Sequence, residues 1–248
     1  LRFSDNQLSI FGAWEDRSSY RCGKIFRLFN PSEMLCSIGI KNGQKNVLLL
    51  GNSHADSLKV PFAAALDKNN LSTYFYVANN PLVSKETNAE FISNDVSRFG
   101  IETVVVHYSI KFYLKEENRE KLANFIHLMK NQSVDILFIS PVPTYEYHVP
   151  KLLYQKTIGP SAKIRRQSIQ EYLGKNNEFF EMVRKFDISS RKIFYPHKHL
   201  CAENDCSLSI YGVPVYFDSH HLTMSGANIL KPMFNEIAIE VLNGSIDE

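Results

Sequence analysis

A serine lies in a short polar turn that follows an apolar run of the chain. The stretch NVLLLGNSHADSL (46–58) places Gly51, Asn52, Ser53 and His54 in four consecutive positions. The residues before the turn predict a strand and those after it predict a helix. The Ser53 hydroxyl is therefore expected at an edge where the first N–H groups of a helix can stabilise an anion. Because a hydroxyl becomes a nucleophile only when a base removes its proton, the rest of the chain must supply that base.

A candidate base and its orienting acid stand far downstream, in YFDSHHLTMSGANIL (216–230). Asp218 and His221 are three residues apart, so the carboxylate can reach the imidazole within one loop. A serine nucleophile needs such a base, and the base needs a third group that orients it. The loop precedes the last predicted helix and can lie at the same edge of the sheet as Ser53. The pattern predicts a catalytic triad of Ser53, His221 and Asp218.

Other roles remain open for these residues. Asp218 is also a candidate N-cap, for which Thr223 competes at the same helix. His220 is the adjacent alternative to His221. His54 is a further candidate base, but a residue next to the nucleophile seldom has the geometry to take its proton, and a helix cap or a substrate contact suits it better. A lone Gly-x-Ser-His turn is by itself a weak motif.

The elements that must position these residues alternate between short β-branched runs and longer helical patterns. Runs that are apolar almost throughout are typical of parallel strands buried on both faces. Pro61 should bend or divide the first helix. The alternation predicts an α/β fold, with three α/β/α layers around a doubly wound, mainly parallel five-stranded sheet. The predicted strands are 46–51, 72–78, 101–108, 134–140 and 191–196, and the predicted helices are 54–68, 117–130, 161–186 and 224–242.

Two segments depart from this alternation. Residues 1–44 are polar and dotted with aromatic residues, and we expect an irregular N-terminal extension with a loop closed by Cys22 and Cys36. Residues 45–248 form the predicted catalytic domain. Within it, the region from about 141 to 190 is longer than a simple crossover requires. We expect a mostly helical insertion there, which either shapes a substrate groove or adds packing.

Composition excludes several classes of protein. The 248 residues are 44% hydrophobic and 22% charged, as in an ordinary globular domain. The net charge of +2 is spread along the chain without the basic stripe that nucleic acid requires. No run approaches the ~18 apolar residues of a membrane-spanning helix. No export signal is recognisable, and because the sequence begins at Leu1 rather than Met, we expect a processed form or an excised domain.

The four cysteines form two local pairs, one near each end of the chain: Cys22 with Cys36, and Cys201 with Cys206. Even, locally paired cysteines are typical of disulfides in an oxidising compartment. A zinc site in HKHLCAENDC (197–206) is the rival interpretation, with His197, His199, Cys201 and Cys206 as ligands. Its spacing fits structural zinc motifs poorly. Disulfides are favoured, and buried free thiols are a further alternative.

The motifs GNSHADS (51–57) and YFDSHHLTMSGA (216–227) together resemble those of the SGNH (GDSL-like) hydrolase family. They are most similar to the SGNH domains fused to membrane acyltransferase-3 proteins, which O-acetylate bacterial surface polysaccharides such as lipopolysaccharide O-antigen. In that group an early Gly-Asp-Ser-His-Ala motif pairs with a late Asp-x-x-His-Leu-Ser/Thr-x-x-Gly-Ala motif. The resemblance covers roughly residues 44–240, is strong only at its two ends, and implies the flavodoxin-like SGNH fold.

The resemblance implies a role for each matching residue. Ser53 matches the nucleophile, His221 the general base and Asp218 the orienting acid. The cysteine-containing lead-in to the late motif, residues 196–218, is also similar to that of the family and favours a disulfide over zinc, so no metal is expected. No bound cofactor is implied either. The acetyl group, ultimately from acetyl-CoA, is expected to be delivered by a transmembrane acyltransferase domain that precedes Leu1.

The sequence departs from the family pattern at two points. Asn52 stands where the family has an aspartate that braces the turn, so hydrogen bonding can be kept while a charge is lost. Asn52 and His54 are candidate substrate-binding residues. The Gly-x-Asn-Asp stretch that usually supplies an oxyanion donor is missing. The Ser53 N–H is the expected donor, with Asn79 or Asn80 as a helper, although a simple turn explains both asparagines as well.

These implications predict an O-acetyltransferase with a Ser53 acyl-enzyme and a sugar hydroxyl as acceptor. Loss of one oxyanion donor costs ~10²–10³ in rate, so a slow hydrolase is expected. The resemblance places the domain on the periplasmic face of the bacterial inner membrane, with a fused or associated membrane acyltransferase-3 domain as its partner. A carbohydrate acetylesterase of the same fold and a catalytically inactive glycan-binding module are the alternatives.

Overall fold

The computed structural model of the protein describes residues 3–159, 165–186 and 188–244. The strands of its central sheet are, in chain order, β1 (Leu35–Ile38), β2 (Lys45–Gly51), β3 (Leu71–Tyr76), β4 (Ile101–His107), β5 (Asp135–Ile139) and β6 (Ile193–Phe194). Their order across the sheet is β1-β3-β2-β4-β5-β6, with β1 antiparallel to β3 and the other neighbours parallel. Two short hairpins follow, β7 (Cys201–Ala202) with β8 (Asp205–Cys206) and β9 (Ser209–Ile210) with β10 (Val213–Pro214).

Helices connect and cover the strands. In chain order they are α1 (Asp5–Gly12), α2 (Gly23–Phe29), α3 (Ser53–Asp67), α4 (Ala89–Arg98), α5 (Ile110–Tyr113), α6 (Glu116–Asn131), α7 (Val149–Ile158), α8 (Ile169–Lys175), α9 (Asn177–Lys185), α10 (His197–Leu200), α11 (Met224–Asn228) and α12 (Lys231–Asn243). Single 3₁₀ turns lie at Pro81–Val83 and Ser190–Lys192. In the part of the chain that the structure describes, no helix combines the length and the apolar character needed to cross a membrane.

The sheet is covered on both faces, which produces two hydrophobic cores. Side chains alternate along a strand, so β2 directs Val47 and Leu49 to one core and Leu48 and Leu50 to the other. Helices α3 and α12 complete the first core, and α4, α6 and α9 complete the second. This arrangement confirms the predicted α/β class with its mainly parallel sheet. It also brings the carboxyl ends of the parallel strands to one edge, where such sheets bind ligands.

The sheet has six strands rather than five because the N-terminal segment supplies β1. Where the sequence predicts irregular structure before residue 45, the chain forms α1, α2 and β1, so the segment is more regular than predicted. β1 has only four residues, too few for a recognisable alternation, and its pairing with β3 supplies its hydrogen bonds. The division at residue 45 stays a prediction.

Both expected disulfides are present. Cys22 pairs with Cys36 and joins the start of α2 to β1. Cys201 pairs with Cys206 and joins β7 to β8. The second disulfide removes the thiolates that the zinc site considered in 197–206 would need.

Two of the predicted helices are divided. The predicted helix 224–242 is α11 and α12, and Pro232 lies in the first turn of α12, where its missing N–H cannot continue the preceding helix. The predicted helix 161–186 is α8 and α9, and its beginning at 161–164 lies outside the described residues. The expected division of the first helix at Pro61 is wrong, because α3 continues through Pro61 as one helix.

The insertion supports the fold and the late loop. The backbone N–H groups of Tyr145 and Val149 donate to the carbonyl oxygens of Ser219 (2.8 Å) and Asp218 (3.1 Å). Further along, α9 packs its apolar side chains into the second core. These contacts correspond to the packing role that was one of the two expectations for this region.

Candidate active site

The turn after β2 is shaped by Gly51 and Asn52. A Cβ at Gly51 would lie 1.8 Å from the carbonyl oxygen of His107, so only glycine permits this close approach of β2 to β4. The Asn52 side chain accepts a hydrogen bond from the N–H of His54 at 3.1 Å and thereby caps α3. Ser53 is consequently the first residue of α3, at the carboxyl edge of the sheet.

Ser53, His221 and Asp218 are joined by two hydrogen bonds. Ser53 Oγ lies 2.7 Å from Nε2 of His221, and Nδ1 of His221 lies 2.7 Å from Oδ2 of Asp218. Since Nδ1–H donates to the carboxylate, the tautomer follows: Nε2 carries no proton and accepts the hydroxyl hydrogen. The structure therefore brings together the three residues of the predicted triad in an arrangement that allows proton transfer from the serine.

Asp218 is held as an anion by its own loop. Its Oδ1 accepts the backbone N–H groups of His220 and His221, both at 2.8 Å. Burial favours a higher pKa for the Asp218 carboxyl, but the hydrogen bonds from the His221 ring and from the two N–H groups outweigh burial and lower the pKa well below its usual range. Thr223, not Asp218, caps α11, because its Oγ1 accepts the N–H of Gly226 at 2.9 Å.

The other two histidines lie beside His221 with different surroundings. Nδ1 of His220 shares a hydrogen bond with Ser219 Oγ at 2.7 Å. His54 is 2% exposed, and its ring centroid lies 5.3 Å from that of His220 and 5.1 Å from that of His221. Burial, and next the neighbouring His221, lowers the pKa of His54 well below its usual value, so this ring is neutral. His221 is thus the histidine that contacts the serine, and Asn52 rather than His54 caps the helix.

The Asn52 carboxamide braces the turn with both of its polar atoms. Its Nδ2 donates to Oγ of Ser109 at 3.0 Å, and its Oδ1 accepts the N–H of Ser109 at 3.4 Å as well as that of His54. Ser109 follows β4, so these bonds tie the ends of β2 and β4 together. The turn is held by hydrogen bonds that need no carboxylate, which explains how Asn replaces Asp. The substrate contacts expected of Asn52 and His54 stay predictions.

A buried arginine orients one of the two candidate oxyanion helpers. Arg21 is 1% exposed and donates to Oδ1 of Asn79 (2.5 Å) and to the carbonyl oxygen of Gly51 (3.4 Å). Because the oxygen of Asn79 accepts from Arg21, its Nδ2 remains as the donor of that exposed carboxamide. Asn80 has a left-handed backbone with φ of 56° and precedes a 3₁₀ turn. Asn79 is therefore the helper whose side chain is held in one orientation.

Among the described residues, three histidines lie close enough together to be considered as metal ligands. Nitrogens of His54, His220 and His221 lie within 4.8 Å of one another. Both ring nitrogens of His221 are already engaged, with Asp218 and with Ser53. An ion held by this group would displace the serine hydroxyl from its base, so the arrangement suits acyl chemistry better than metal binding.

Several residues that shape the site were missed by sequence reasoning. Ser109 and Arg21 stand in no recognisable motif, and their contacts with the site span 57 and 58 residues of sequence. Phe217 lies parallel to His221, with ring centroids 5.4 Å apart and planes 4° apart. The segment 15–20 lines a cleft beside the serine. Only the fold brings these residues to the site, so no local pattern could have identified them.

Comparison with known proteins places the chain in a family. Residues 21–236 match the family described as "SGNH domain (fused to AT3 domains)". The fold is similar to the periplasmic domain of a lipopolysaccharide acetyltransferase from Salmonella ser. Paratyphi A, with a TM-score of 0.62, 19% identity and coverage of 96% of this chain and 97% of that chain. It is also similar to a candidate acylhydrolase from Bacteroides fragilis, with a TM-score of 0.50, 10% identity and coverage of 91% and 100%.

No curated protein matches the sequence significantly. At these identities, the structural similarities establish the fold. The family match covers most of the chain, from the buried Arg21 to α12, and it includes both motifs of the site. The chain therefore belongs to the family of SGNH domains fused to AT3 domains.

Proposed function

We propose that the protein is an O-acetyltransferase domain, which carries an acetyl group on Ser53 and transfers it to a sugar hydroxyl of a bacterial surface polysaccharide such as lipopolysaccharide O-antigen. The observation that carries this proposal is the pair of 2.7 Å hydrogen bonds from Ser53 through His221 to Asp218. The family match and the acetyltransferase activity named for the Salmonella protein support acetyl as the transferred group.

Acylation is the first step. Nε2 of His221 takes the proton of the Ser53 hydroxyl while Oγ bonds to the carbonyl carbon of the acetyl donor. The tetrahedral intermediate then collapses, the leaving group departs with the proton from His221, and an acetyl ester of Ser53 remains. Asp218 stays anionic and stabilises the imidazolium that forms transiently. The neutral His54 adds no positive charge next to that imidazolium.

Transfer to the acceptor is the second step. A sugar hydroxyl gives its proton to His221 and attacks the carbonyl carbon of the Ser53 ester. The second intermediate collapses, Oγ leaves with the proton from His221, and the acetylated sugar is released. Water in place of the sugar hydroxyl gives hydrolysis by the same steps, so the occupant of the cleft decides between transfer and hydrolysis.

The negative charge of each intermediate needs hydrogen-bond donors. The N–H of Ser53 belongs to the first turn of α3, where no carbonyl of the helix accepts it, and a helix N-terminus favours an anion. Nδ2 of Asn79, oriented by Arg21, is the second donor in this proposal. The donor that a Gly-x-Asn-Asp stretch usually supplies is missing from this chain, and loss of one such donor lowers the rate by ~10²–10³. A site that hydrolyses slowly is compatible with a sugar as the intended acceptor.

The proposal includes a location and a partner. The domain acts on the periplasmic face of the inner membrane, and it receives acetyl, ultimately from acetyl-CoA, through a fused or associated AT3 domain. The family description and the periplasmic origin of the Salmonella domain support both statements. The two disulfides fit an oxidising compartment.

Intact-mass measurement after incubation with p-nitrophenyl acetate tests the acyl-enzyme. We expect an adduct of one acetyl group that peptide mapping assigns to Ser53, no adduct in Ser53→Ala, and slower formation in His221→Ala. Folding of each variant is checked by circular dichroism. A folded protein that acquires no acetyl on Ser53 would sink the catalytic proposal and leave an inactive glycan-binding module.

A transferase and an esterase differ in the acceptor of the acetyl group, which is a sugar hydroxyl in the first case and water in the second. Base-deacetylated and native acetylated polysaccharide are incubated with the acetylated protein and with the free protein, and O-acetyl groups are followed by NMR. Gain of sugar acetyl groups supports the transferase. Release of acetate from the acetylated polysaccharide, without gain on the deacetylated one, would establish a carbohydrate acetylesterase instead.

A further inference from the structure

An open cleft of about 470 Å³ lies beside Ser53. One wall is the N-terminal segment 15–20, and the other includes Ser53, Ser57 and His221. The match to the family begins only at residue 21. The wall that faces the nucleophile therefore precedes the matched range.

The wall is fixed to the body of the domain at both ends. The carbonyl oxygen of Asp16 accepts the N–H of Met224, at the start of α11, at 2.7 Å. The Nζ of Lys59 is buried, forms an ion pair with Asp56 at 2.7 Å, and donates to the carbonyl oxygen of Ser19 at 2.6 Å. A buried ammonium group is costly to leave without such partners. These contacts hold the segment 15–20 in a fixed position beside the cleft.

A series of planar groups in contact connects this wall to the candidate base. The guanidinium carbon of Arg17 lies 3.6 Å from the ring centroid of Trp14. Trp14 meets Phe217 edge to face at 5.8 Å, and Phe217 lies parallel to His221. Because the face of the guanidinium is covered by the indole, its N–H edge remains available to the cleft that Arg17 lines.

The wall combines hydrogen-bond donors, acceptors and an aromatic ring. Arg17 supplies donors, Glu15 supplies acceptors, and their charges balance. Tyr20 is 59% exposed and presents an amphipathic ring to the same cleft. A neutral, hydroxyl-rich ring can use all three groups, whereas a charged ligand would meet one repelling neighbour.

We propose that Arg17, Glu15 and Tyr20 form the subsite for a neutral pyranose of the acceptor glycan, with Trp14 as the residue that positions Arg17. The inference rests on the proposed function, since it names the place where the acceptor sugar binds. It assigns acceptor choice to the segment 15–20 and the acyl chemistry to Ser53, His221 and Asp218.

Saturation-transfer NMR tests the subsite without turnover. The probes are methyl glycosides of glucose, galactose, mannose and rhamnose, and the parent protein is Ser53→Ala. We expect binding of at least one glycoside, and affinity lower by about 10-fold after Arg17→Ala, Arg17→Lys or Tyr20→Ala, because a polar or stacking partner is removed. Arg184→Ala and Tyr211→Ala change exposed residues of the same types outside the cleft and should leave binding unchanged.

Absence of binding in the parent, or equal binding in the Arg17 and Tyr20 variants, would overturn the subsite and leave the acetylation of Ser53 untouched. Binding that depends on Arg17 and Tyr20, in a protein that never acquires acetyl on Ser53, would support the subsite and overturn the proposed function. The two ideas therefore fail in different experiments.

A second, independent observation concerns α2. Its side chains Ile25, Leu28 and Phe29 are 75%, 76% and 76% exposed. Residues at positions i, i+3 and i+4 share one side of a helix, so the three form one apolar surface, the α2 face. Isolated exposed apolar residues are ordinary, whereas a contiguous group marks an interaction site.

The charges around the α2 face indicate its partner. Lys24 and Arg27 are exposed on the same helix, and no acidic residue occurs from position 17 to 32. An apolar helix face with flanking cations is complementary to an anionic phospholipid surface. We infer that the α2 face docks on such a membrane. Because α2 follows the segment 15–20 directly, docking holds the mouth of the Ser53 cleft near the bilayer.

Vesicle co-sedimentation tests this second inference. The chain is mixed with vesicles of phosphatidylcholine alone and with phosphatidylglycerol added. We expect binding only to the anionic vesicles, weaker at high salt, and lost in Leu28→Ser and Phe29→Ser. Ile239→Ser, a change at a 53% exposed position on α12, is the matched control and should still bind.

Failure to bind anionic vesicles, or equal binding by the Leu28 and Phe29 variants, would overturn the membrane inference. Light scattering that shows a dimer abolished by Leu28→Ser would also overturn it, since the face would then be occupied by a second copy of the chain.

Discussion

Ser53 Oγ and Nε2 of His221 lie 2.7 Å apart, although 168 residues of sequence separate them. The end of β2 positions the serine, and the loop before α11 positions the histidine. The hydrogen bond between them orients the hydroxyl and its acceptor for proton transfer. Such preorganisation lowers the entropic cost of reaching the transition state.

The two adjacent histidines should differ sharply in their effect on activity. His221→Ala removes the group that touches Ser53 and should lower hydrolysis of p-nitrophenyl acetate by on the order of 10⁴-fold. His220→Ala changes a ring hydrogen-bonded to Ser219 and should retain most of the activity. A larger loss in His220→Ala than in His221→Ala would contradict the assignment of the base.

Asp218→Asn should lower activity by on the order of 10⁴-fold while the domain stays folded. The amide can donate to Nδ1 of His221, which shifts the ring proton to Nε2 and leaves no lone pair for the Ser53 hydroxyl. Steady-state kinetics and circular dichroism check the prediction. As a control, Asp205→Asn changes an exposed carboxylate in β8 and should have no comparable effect. Wild-type kinetics in Asp218→Asn would show that His221 needs no orienting anion.

Asn52→Asp should be tolerated and Asn52→Ala should not. Aspartate keeps the bonds accepted from the N–H groups of His54 and Ser109, and the Ser109 hydroxyl can turn to donate to it. Alanine removes the cap of α3, which typically costs about 1 kcal/mol in the free energy of unfolding, and it releases the turn that holds Ser53. Urea unfolding and ester hydrolysis measure the two effects. Equal activity of the two variants would show that the brace is dispensable.

Asn79→Ala should lower hydrolysis by on the order of 10²-fold, the usual cost of one oxyanion donor. The matched change Asn80→Ala removes a neighbouring carboxamide that Arg21 does not orient and should have a smaller effect. Arg21→Met should resemble Asn79→Ala, because it releases the carboxamide, although it also removes a buried cation. Kinetic comparison of the three variants decides; unchanged rates in Asn79→Ala would exclude this residue as a donor.

Stability should fall on acidification because of a buried histidine. Burial lowers the pKa of His107 to about 4, despite the hydrogen bond of its Nδ1 with the Ile139 carbonyl oxygen. Below the ordinary histidine pKa of ~6.5 the unfolded chain takes up a proton that the folded chain refuses, so the free energy of unfolding declines from about pH 6.5 to about 4. Below that range His107 adds no further decline.

Urea unfolding at several pH values measures this slope. His107→Asn keeps a donor for Ile139 without a titrating ring and should reduce the slope between about pH 6.5 and 4, while the buried His54, whose pKa is also lowered, still contributes to it. His127→Asn changes an exposed histidine and should leave it unaltered. A slope that is the same in His107→Asn and in the unaltered protein would show that other groups cause the acid sensitivity.

The strand pattern and the two motifs could be read from the sequence because each depends on local chemistry. Four buried strands of the sheet, β2 to β5, are short runs rich in apolar and β-branched residues, and such runs can be recognised without knowing their neighbours. The turn 51–54 and the loop 218–221 carry residue types that few structures other than a triad would use together. β1 and α4 escaped recognition. β1 is very short, and α4 is polar apart from the few residues it buries.

The tertiary structure decided which of several candidate residues contacts the serine. Sequence left His54, His220 and His221 as candidate bases, and only the packing of the late loop on β2 and α3 directs Nε2 of His221 at Ser53. Only the tertiary structure shows that the segment 15–20, more than 30 residues before the serine in sequence, lines the cleft. Residue types are set by local chemistry, but hydrogen-bond distances depend on the relative placement of distant elements, and that placement is determined by the packing of the whole core.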